Sequence, residues 1–355
     1  HMEEDTARNT HTIAGGQSGV DFNRCGLPLL EIVTEPDLRG AREAHAYLTE
    51  LKQILQYLRV SDCNMEEGSL RAEANISVRP VGQEAFGTKT EVKNVASFSG
   101  VQKAIDFEIA RQIAVIEAGG AVVQETRGWD ADRGVTFSQR LKESAHDYRY
   151  FPEPDLVPVS VDQAWESRIR ETLPELPAAR RARFAAQYAL SAYDAGVLTQ
   201  SRDTADYYEA AVAAGADPKK AANWISVELQ ALLSDTKKEI ADCAAGPGAL
   251  AGMLGMIESG AISGKIAKEV LAEMFATGRA PADIVREKGL SQISDAGELL
   301  EAVRRVIAEN PAQVEQYRAG KEKVLAFLVG QAMRATRGKA NPQMLNDVLR
   351  EELSR

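Results

Sequence analysis

Near Trp165 the chain changes its pattern, and that change constrains the fold more than any single motif. Up to that point short apolar runs alternate with glycine and proline punctuation, interrupted by one helical stretch over 42–58 in which Leu48, Leu51, Leu55 and Leu58 recur at helical spacing. Beyond it, alanine-rich helical periodicity dominates. Asp217-Pro218, Asn310-Pro311 and Asn341-Pro342 each put an Asx cap before a proline at the first helical position, and Gly215, Gly278 and Gly320 mark helix ends. The pattern predicts an α+β domain built on an antiparallel sheet over 1–164, an all-α domain over 165–245 and an all-α tail over 246–355. Leu173-Pro174-Glu175-Leu176-Pro177 reads as a linker, and Gly246-Pro247-Gly248 as the break between the two helical parts.

A length of 355 residues is enough for two or three cores, and 44% hydrophobic with 26% charged residues gives no case for disorder. No apolar run is long enough to cross a bilayer, and the N-terminus lacks the basic, apolar and small-residue pattern of a signal peptide, so a cytoplasmic location is expected. Cys25, Cys63 and Cys243 are too few and too scattered for a disulfide framework. A net charge of −10 speaks against general affinity for nucleic acid, while leaving room for a local basic face.

Within the first domain, Glu31 stands inside Leu29-Leu30-Glu31-Ile32-Val33, a run that otherwise reads as a buried strand. Taking an isolated carboxylate out of water costs on the order of several kcal/mol, so such a group is normally paired, neutralised or bound to metal. Alternation puts Leu30 and Ile32 on one side and Leu27, Leu29 and Val33 on the side of Glu31, so neither face is plainly polar. Two readings stay open, a compensated functional carboxylate or a half-exposed edge strand.

From 70 to 78 the chain alternates strictly, with Leu70, Ala72, Ala74, Ile76 and Val78 on one face and Arg71, Glu73, Asn75, Ser77 and Arg79 on the other. After a loop containing Gly82 and Gly87, residues 88–94 place Lys89, Glu91 and Lys93 on one face. Paired as a hairpin, Asn75, Ser77 and Arg79 stand opposite Lys93, Glu91 and Lys89. The ordinary explanation is the wet side of an antiparallel sheet. Acidic clusters at Glu3-Glu4-Asp5, Glu35-Pro36-Asp37 and Glu66-Glu67 offer the oxygen ligands that Mg²⁺ takes, and cations beside a carboxylate-bound Mg²⁺ are a usual means of holding transferring phosphates. On that reading Arg71, Asn75, Ser77, Lys89 and Lys93 are candidate ATP contacts. Arg149, in the aromatic segment 146–155, either grips a phosphate or carboxylate or belongs to a packed strand end. No Walker A loop, Gly-x-Gly-x-x-Gly loop, zinc-protease helix or nucleophile elbow is present, which weakens hydrolase readings.

Taken together, Met2-Glu3-Glu4-Asp5, the stretch 21–37, Ser61 through Arg71, Gly87 through Asn94 and the segment 146–155 resemble the B subunits of bacterial glutamyl/aspartyl-tRNA amidotransferases. The likeness continues through Ala221-Ala222-Asn223-Trp224, Ser263-Gly264-Lys265-Ile266-Ala267-Lys268 and Gly338-Lys339-Ala340-Asn341-Pro342, and so covers essentially the whole chain. The resemblance implies a cradle-type synthetic domain followed by helical and tail domains. It implies ATP- and Mg²⁺-dependent activation of the side-chain carboxylate of Glu-tRNA(Gln) or Asp-tRNA(Asn) as an acyl phosphate, which ammonia then displaces. The ammonia would come through a tunnel from a glutaminase of the amidase type, the A subunit, in a heterotrimer completed by a small C subunit. By motif, Glu3 resembles the glutamate at the junction of tunnel and synthetic site, with a part in the metal site, and Glu31 resembles a Mg²⁺ ligand. Lys89 and Lys93 join them as candidate catalytic groups. The family also begins with a strand-rich segment, carrying a glutamate and a histidine for the metal, upstream of where this sequence starts. The resemblance therefore implies an incomplete cradle and an inactive isolated chain.

In the helical half, Lys321, Lys323, Arg334, Arg337 and Lys339 form the clearest basic run, with Glu322 the only acid between Gly320 and Pro342. Such a run is commonly a solvated helix face, but in a family with a tRNA-gripping tail it becomes a candidate phosphate contact. Arg180, Arg181 and Arg183 form a second, weaker patch and are the next candidate for the tRNA contact. Met253, Met256, Met274 and Met333 read as core filling. Two functions compete, one as part of a synthetase-type enzyme and the other as a tRNA-binding or assembly module without chemistry of its own. The sequence does not separate Glu-tRNA from Asp-tRNA as substrate.

Overall fold

The computed structural model describes residues 1–13, 17–141, 157–290, 296–336, 340 and 342–354. Packing divides the chain into one unit of His1–Leu51 with Asn64–Glu153 and another of Lys52–Cys63 with Pro154–Arg355.

In the first unit β1 (Met2–Glu4) pairs antiparallel with β4 (Pro28–Leu30), and β2 (Arg8–Ile13) pairs with β3 (Gln17–Asp21). Helix α1 (Ala41–Tyr57) follows, at the predicted place; Glu43 in its first turn accepts from the Arg39 backbone N–H at 2.7 Å, where a carboxylate suits the positive helix end. A four-stranded sheet in the order β5-β6-β7-β8 comes next, from β5 (Ala74–Ile76), β6 (Thr90–Lys93), β7 (Glu125–Asp130) and β8 (Val135–Leu141). Between β6 and β7 lies α2 (Phe98–Glu117), capped by Ser97, which lets those two strands run parallel in a sheet otherwise antiparallel. Ile76, Val92, Val95, Val101, Ala104 and Ile105 form the shared core.

Helix α2 also turns Glu108 and Gln112 inward. The Glu108 carboxylate is fully buried and accepts from Arg111 at 2.6 Å, Gln112 at 2.9 Å and Thr136 at 3.0 Å, with Arg127 at 3.6 Å. Burial alone would raise its pKa, but these hydrogen bonds outweigh it and hold the carboxyl below the usual range. A buried, compensated carboxylate, one of the two readings left open for Glu31, is found at Glu108.

The second unit is helical. It contains α3 (Gln163–Thr172), α4 (Pro177–Gln187), α5 (Ala192–Leu198), α6 (Arg202–Ala213) and α7 (Pro218–Asn223), which passes through a π-helical turn (Trp224–Leu229) into α8 (Gln230–Thr236). It continues with α9 (Pro247–Glu258), α10 (Gly264–Thr277), α11 (Pro281–Glu287), α12 (Ala296–Glu309), α13 (Pro311–Arg318), α14 (Val324–Ala335) and α15 (Pro342–Ser354). Asp217 caps α7 by accepting from the Lys220 N–H at 2.9 Å, and Gly215, Gly278 and Gly320 all take positive φ where helices end. One core runs from Phe184 to Val285 and a second from Leu299 to Leu353. Gly246-Pro247-Gly248, expected to form a break, instead opens α9, whose Leu250, Met253 and Leu254 join the first of these cores. Met253 and Met274 are fully buried and Met256 and Met333 pack partly against the cores, as core filling requires. Among the described residues no helix is long and apolar enough to cross a membrane.

Candidate functional site

The short β1–β4 ladder brings two sequence-predicted carboxylates to one face. Glu3 pairs with Leu29, and just past β4 the pairing continues through the Glu31 N–H to the His1 carbonyl at 2.9 Å. Side chains alternate along a strand, so Glu31 shares its face with Leu29 and Glu3. Diagonal neighbours across such a ladder lie roughly 7–8 Å apart, within the joint reach of two glutamates. His1 Nε2 lies 3.9 Å from Glu3 Oε2, a neighbour the sequence did not single out.

The setting of Glu31 differs from the expected one. Strand β4 is only three residues long, Glu31 lies outside it and is exposed, and Leu27, Leu30, Ile32 and Val33 are 51%, 44%, 43% and 78% exposed. A strand paired on one side only and covered by no described residue leaves the carboxylate hydrated, so no burial cost attaches to Glu31. As donors, two hydrated carboxylates fit a cation such as Mg²⁺ that keeps most of its water; among the described residues no group of three or more His, Cys, Asp or Glu converges into a fuller cage.

Next to this ladder Asp5 accepts from Arg71 at 3.0 Å and lies 3.5 Å from Arg24 Nε. Arg24 also donates to the Glu67 carbonyl at 3.2 Å and closes over Gly68, where an added Cβ would meet its guanidinium at 2.8 Å. Arg71, predicted as a nucleotide contact, thus has a carboxylate partner inside the fold.

On the four-stranded sheet the expected polar face exists with a different register. Asn75 pairs with Glu91, two residues from the expected match to Lys93. A slip of two preserves the face, because side chains alternate with a period of two. The strands are also shorter than expected, for Arg79 leaves the face: its guanidinium donates to the Glu84 carbonyl and stacks on Phe86 at 4.8 Å, folding the loop on itself. The slip seats Lys93 between Glu73 at 2.8 Å and Glu91 at 3.4 Å, and Thr126 from β7 donates to Glu91 at 2.9 Å. Burial alone would lower the Lys93 pKa, but the Glu73 and Glu91 carboxylates outweigh it and raise it. Lys89 and Asn75 are exposed and Ser77 is half-buried. Arg149 lies outside the described residues.

The helical half holds the two basic clusters expected from the sequence. Arg180, almost fully buried, bonds Asp206 at 2.6 Å and Glu209 at 2.6 Å, while Arg183 bonds Glu175 at 2.6 Å and Glu209 at 2.7 Å. Arg181 donates to Gln53 at 3.1 Å. This patch is internal wiring between α4, α6 and the segment before α4, and its reading as a reserve RNA contact is corrected. Lys321, Lys323 and Arg334 are exposed, and no carboxylate of a described residue lies within 4.0 Å of them. Arg337 and Lys339 lie outside the described residues.

Two family models match the chain in succession. Residues 1–167 match the family described as the GatB/GatE catalytic domain, and residues 206–353 match the GatB domain. The chain is 55% identical over 358 residues to the B subunit of the aspartyl/glutamyl-tRNA(Asn/Gln) amidotransferase of Carboxydothermus hydrogenoformans, covering all of this chain and 74% of that protein. It is 56% identical over 353 residues to the B subunit from Solidesulfovibrio magneticus, with 99% of this chain and 74% of the relative covered. The B subunit from Moorella thermoacetica is likewise 56% identical, over 355 residues, with 99% of this chain and 75% of the relative covered.

Proposed function

This chain belongs to the family of B subunits of aspartyl/glutamyl-tRNA(Asn/Gln) amidotransferases, and from that premise we propose that it is the carboxylate-activating part of a tRNA-dependent amidotransferase. The observation that carries the reading is identity above half the positions along the entire chain, with both matched domains in order. In the reaction the γ-phosphoryl group of ATP passes to the side-chain carboxylate of Glu-tRNA(Gln) or Asp-tRNA(Asn) and ADP leaves. Ammonia then adds at the activated carbonyl carbon, loses a proton, and inorganic phosphate departs with the bonding pair.

Each group has a part to play. Glu3 and Glu31, on one face of the β1–β4 ladder, are the residues that would hold Mg²⁺. When bound, the cation supplies charge neutralisation and orientation at the transferring phosphate. By its family resemblance, Glu3 is also the group that would meet incoming ammonia. Lys89, exposed and without an ion-pair partner among the described residues, is free to meet a phosphate, with Asn75 and Ser77 as hydrogen-bonding neighbours. Lys93 reaches the same face as an ammonium already balanced by Glu73 and Glu91, so it orients these carboxylates as well as facing the nucleotide. Arg71 and Arg149 are further proposed phosphate contacts. Lys321, Lys323 and Arg334, with Arg337 and Lys339, are proposed to hold the sugar-phosphate backbone of the tRNA. The ammonia source would be an amidase partner, the A subunit, joined by a small C subunit in a cytoplasmic heterotrimer.

Reconstitution tests this reading. An amidase partner supplied with glutamine, ATP, Mg²⁺ and Glu-tRNA(Gln) or Asp-tRNA(Asn) should form the amide only when the full-length B subunit is present. Binding of tRNA without any ATP-dependent amide formation would establish the noncatalytic module instead.

A further inference from the structure

Helix α14 presents to solvent a face that is more than basic. Leu325, Leu328 and Ala332 are its buried residues and face the core shared with α12 and α15. On the opposite side lie Lys323, Phe327, Gly330 and Arg334, which at 3.6 residues per turn fall within about 60° of arc. Phe327 is 43% exposed in a helix with enough buried aliphatic surface to seat it without a ring. Along the axis Lys323 is about 6 Å and Arg334 about 10 Å from Phe327. No carboxylate of a described residue balances either cation.

Gly330 sharpens the point. A glycine inside a helix costs about 1 kcal/mol relative to alanine. A Cβ there would meet nothing within 4 Å, so neither packing nor backbone conformation calls for glycine. It leaves no side chain on this face between Phe327 and Arg334. An exposed ring with a cation on either side along the helix matches the way single-stranded segments are held, with a base on the ring and phosphates on the cations.

We propose that Phe327 stacks on an unpaired base of the tRNA, between phosphates held by Lys323 and Arg334. This rests on the reading of the tail as an RNA-binding element and adds base stacking to a contact otherwise made to the backbone. A protein surface would use the ring differently: it would reward apolar area rather than an aromatic plane, and would have no need of flanking cations lacking acidic partners.

The test uses the assembled amidotransferase, its B subunit at full length, titrated with misacylated tRNA across a salt series. Phe327→Ala should weaken affinity by on the order of tenfold with an unchanged salt slope, because stacking releases no counterions. Phe327→Leu should be nearly as weak, whereas Phe327→Trp should retain affinity, with its fluorescence quenched on tRNA addition. Lys323→Ala with Arg334→Ala should instead flatten the slope. Wild-type affinity for Phe327→Ala, full rescue by leucine, or impaired assembly of the complex with normal tRNA affinity would each overturn the stacking. Failure of the charge variant to change the slope would overturn the RNA-binding reading itself, a separate outcome.

Discussion

Helices α4 and α14 both carry runs of cations, and the two have opposite fates. On α4 the guanidinium groups of Arg180 and Arg183 are consumed by Asp206, Glu209 and Glu175, which stand on other segments of the chain. On α14 Arg334, with Lys321 and Lys323 just before the helix, stands clear of any described carboxylate, as do those two lysines. The first unit repeats the contrast in small, with Lys93 locked between Glu73 and Glu91 and Lys89 open. A cation that the fold leaves unmatched is free for a nucleotide or an RNA, whereas a matched one is also held by its carboxylates, and the sequence run alone does not reveal which is which.

The largest effect that would sharpen this contrast is on stability. Arg180→Ala removes a nearly buried guanidinium that bonds Asp206 and Glu209 and should destabilise the chain by about 2 kcal/mol, read as a lowered denaturant midpoint, while the salt slope of tRNA binding stays unchanged. An Arg180→Ala chain that melts normally but binds tRNA weakly would reverse the assignment of the two helices. In the first unit, Lys89→Ala should slow amide formation at saturating ATP by on the order of a hundredfold with no change in melting, whereas Lys93→Ala should alter both. A normal rate for Lys89→Ala would remove that lysine from the phosphate site.

Smaller effects separate the helices as well. Replacing Lys323 and Arg334 together should leave stability within about 0.5 kcal/mol of wild type and reduce the log-log salt slope of tRNA binding by about 0.7 to 0.9 per lost phosphate contact. Acid should act on α4 and spare α14. Burial alone would raise the Glu209 carboxyl, yet hydrogen bonds from Arg183 and Arg180 outweigh it and bring it down to about 2 from an ordinary 4.5. A carboxyl lowered in the folded state contributes stability that is complete above its ordinary value, so this contribution should fade as pH falls from about 4.5 through about 2. Comparing the acid unfolding of wild type and Glu209→Gln should show the loss only in the former.

Local signals were legible and distant ones were not. Asp217 before Pro218 and the glycines at 215, 278 and 320 work through neighbours in the chain, and each was found where its chemistry pointed. The polar sheet face was readable because alternation fixes sides; its register was not, since Arg79 folds back onto Glu84 and Phe86. The parallel pairing of β6 with β7, and with it the Thr126 bond to Glu91, passes through α2 and leaves no local pattern. Glu31 and Glu108 teach the same lesson from two sides. An apolar sequence context left Glu31 open between a buried carboxylate and a half-exposed edge strand, and the run is exposed; Glu108 is buried because α2 turns it toward Arg111, Gln112 and Thr136. What pointed to Glu31 and survives is its place beside Glu3 on one ladder face together with family membership, not its hydrophobic neighbours.

The central claim is that the face carrying Glu3 and Glu31 activates the carboxylate, while the free cations of the tail hold the RNA. The most direct measurement is single-turnover amide formation on misacylated tRNA by the assembled enzyme carrying Glu31→Gln in its full-length B subunit. The account predicts that ATP-dependent amide formation is lost while tRNA affinity and glutamine hydrolysis by the amidase partner persist. Amide formation at the wild-type rate would contradict it.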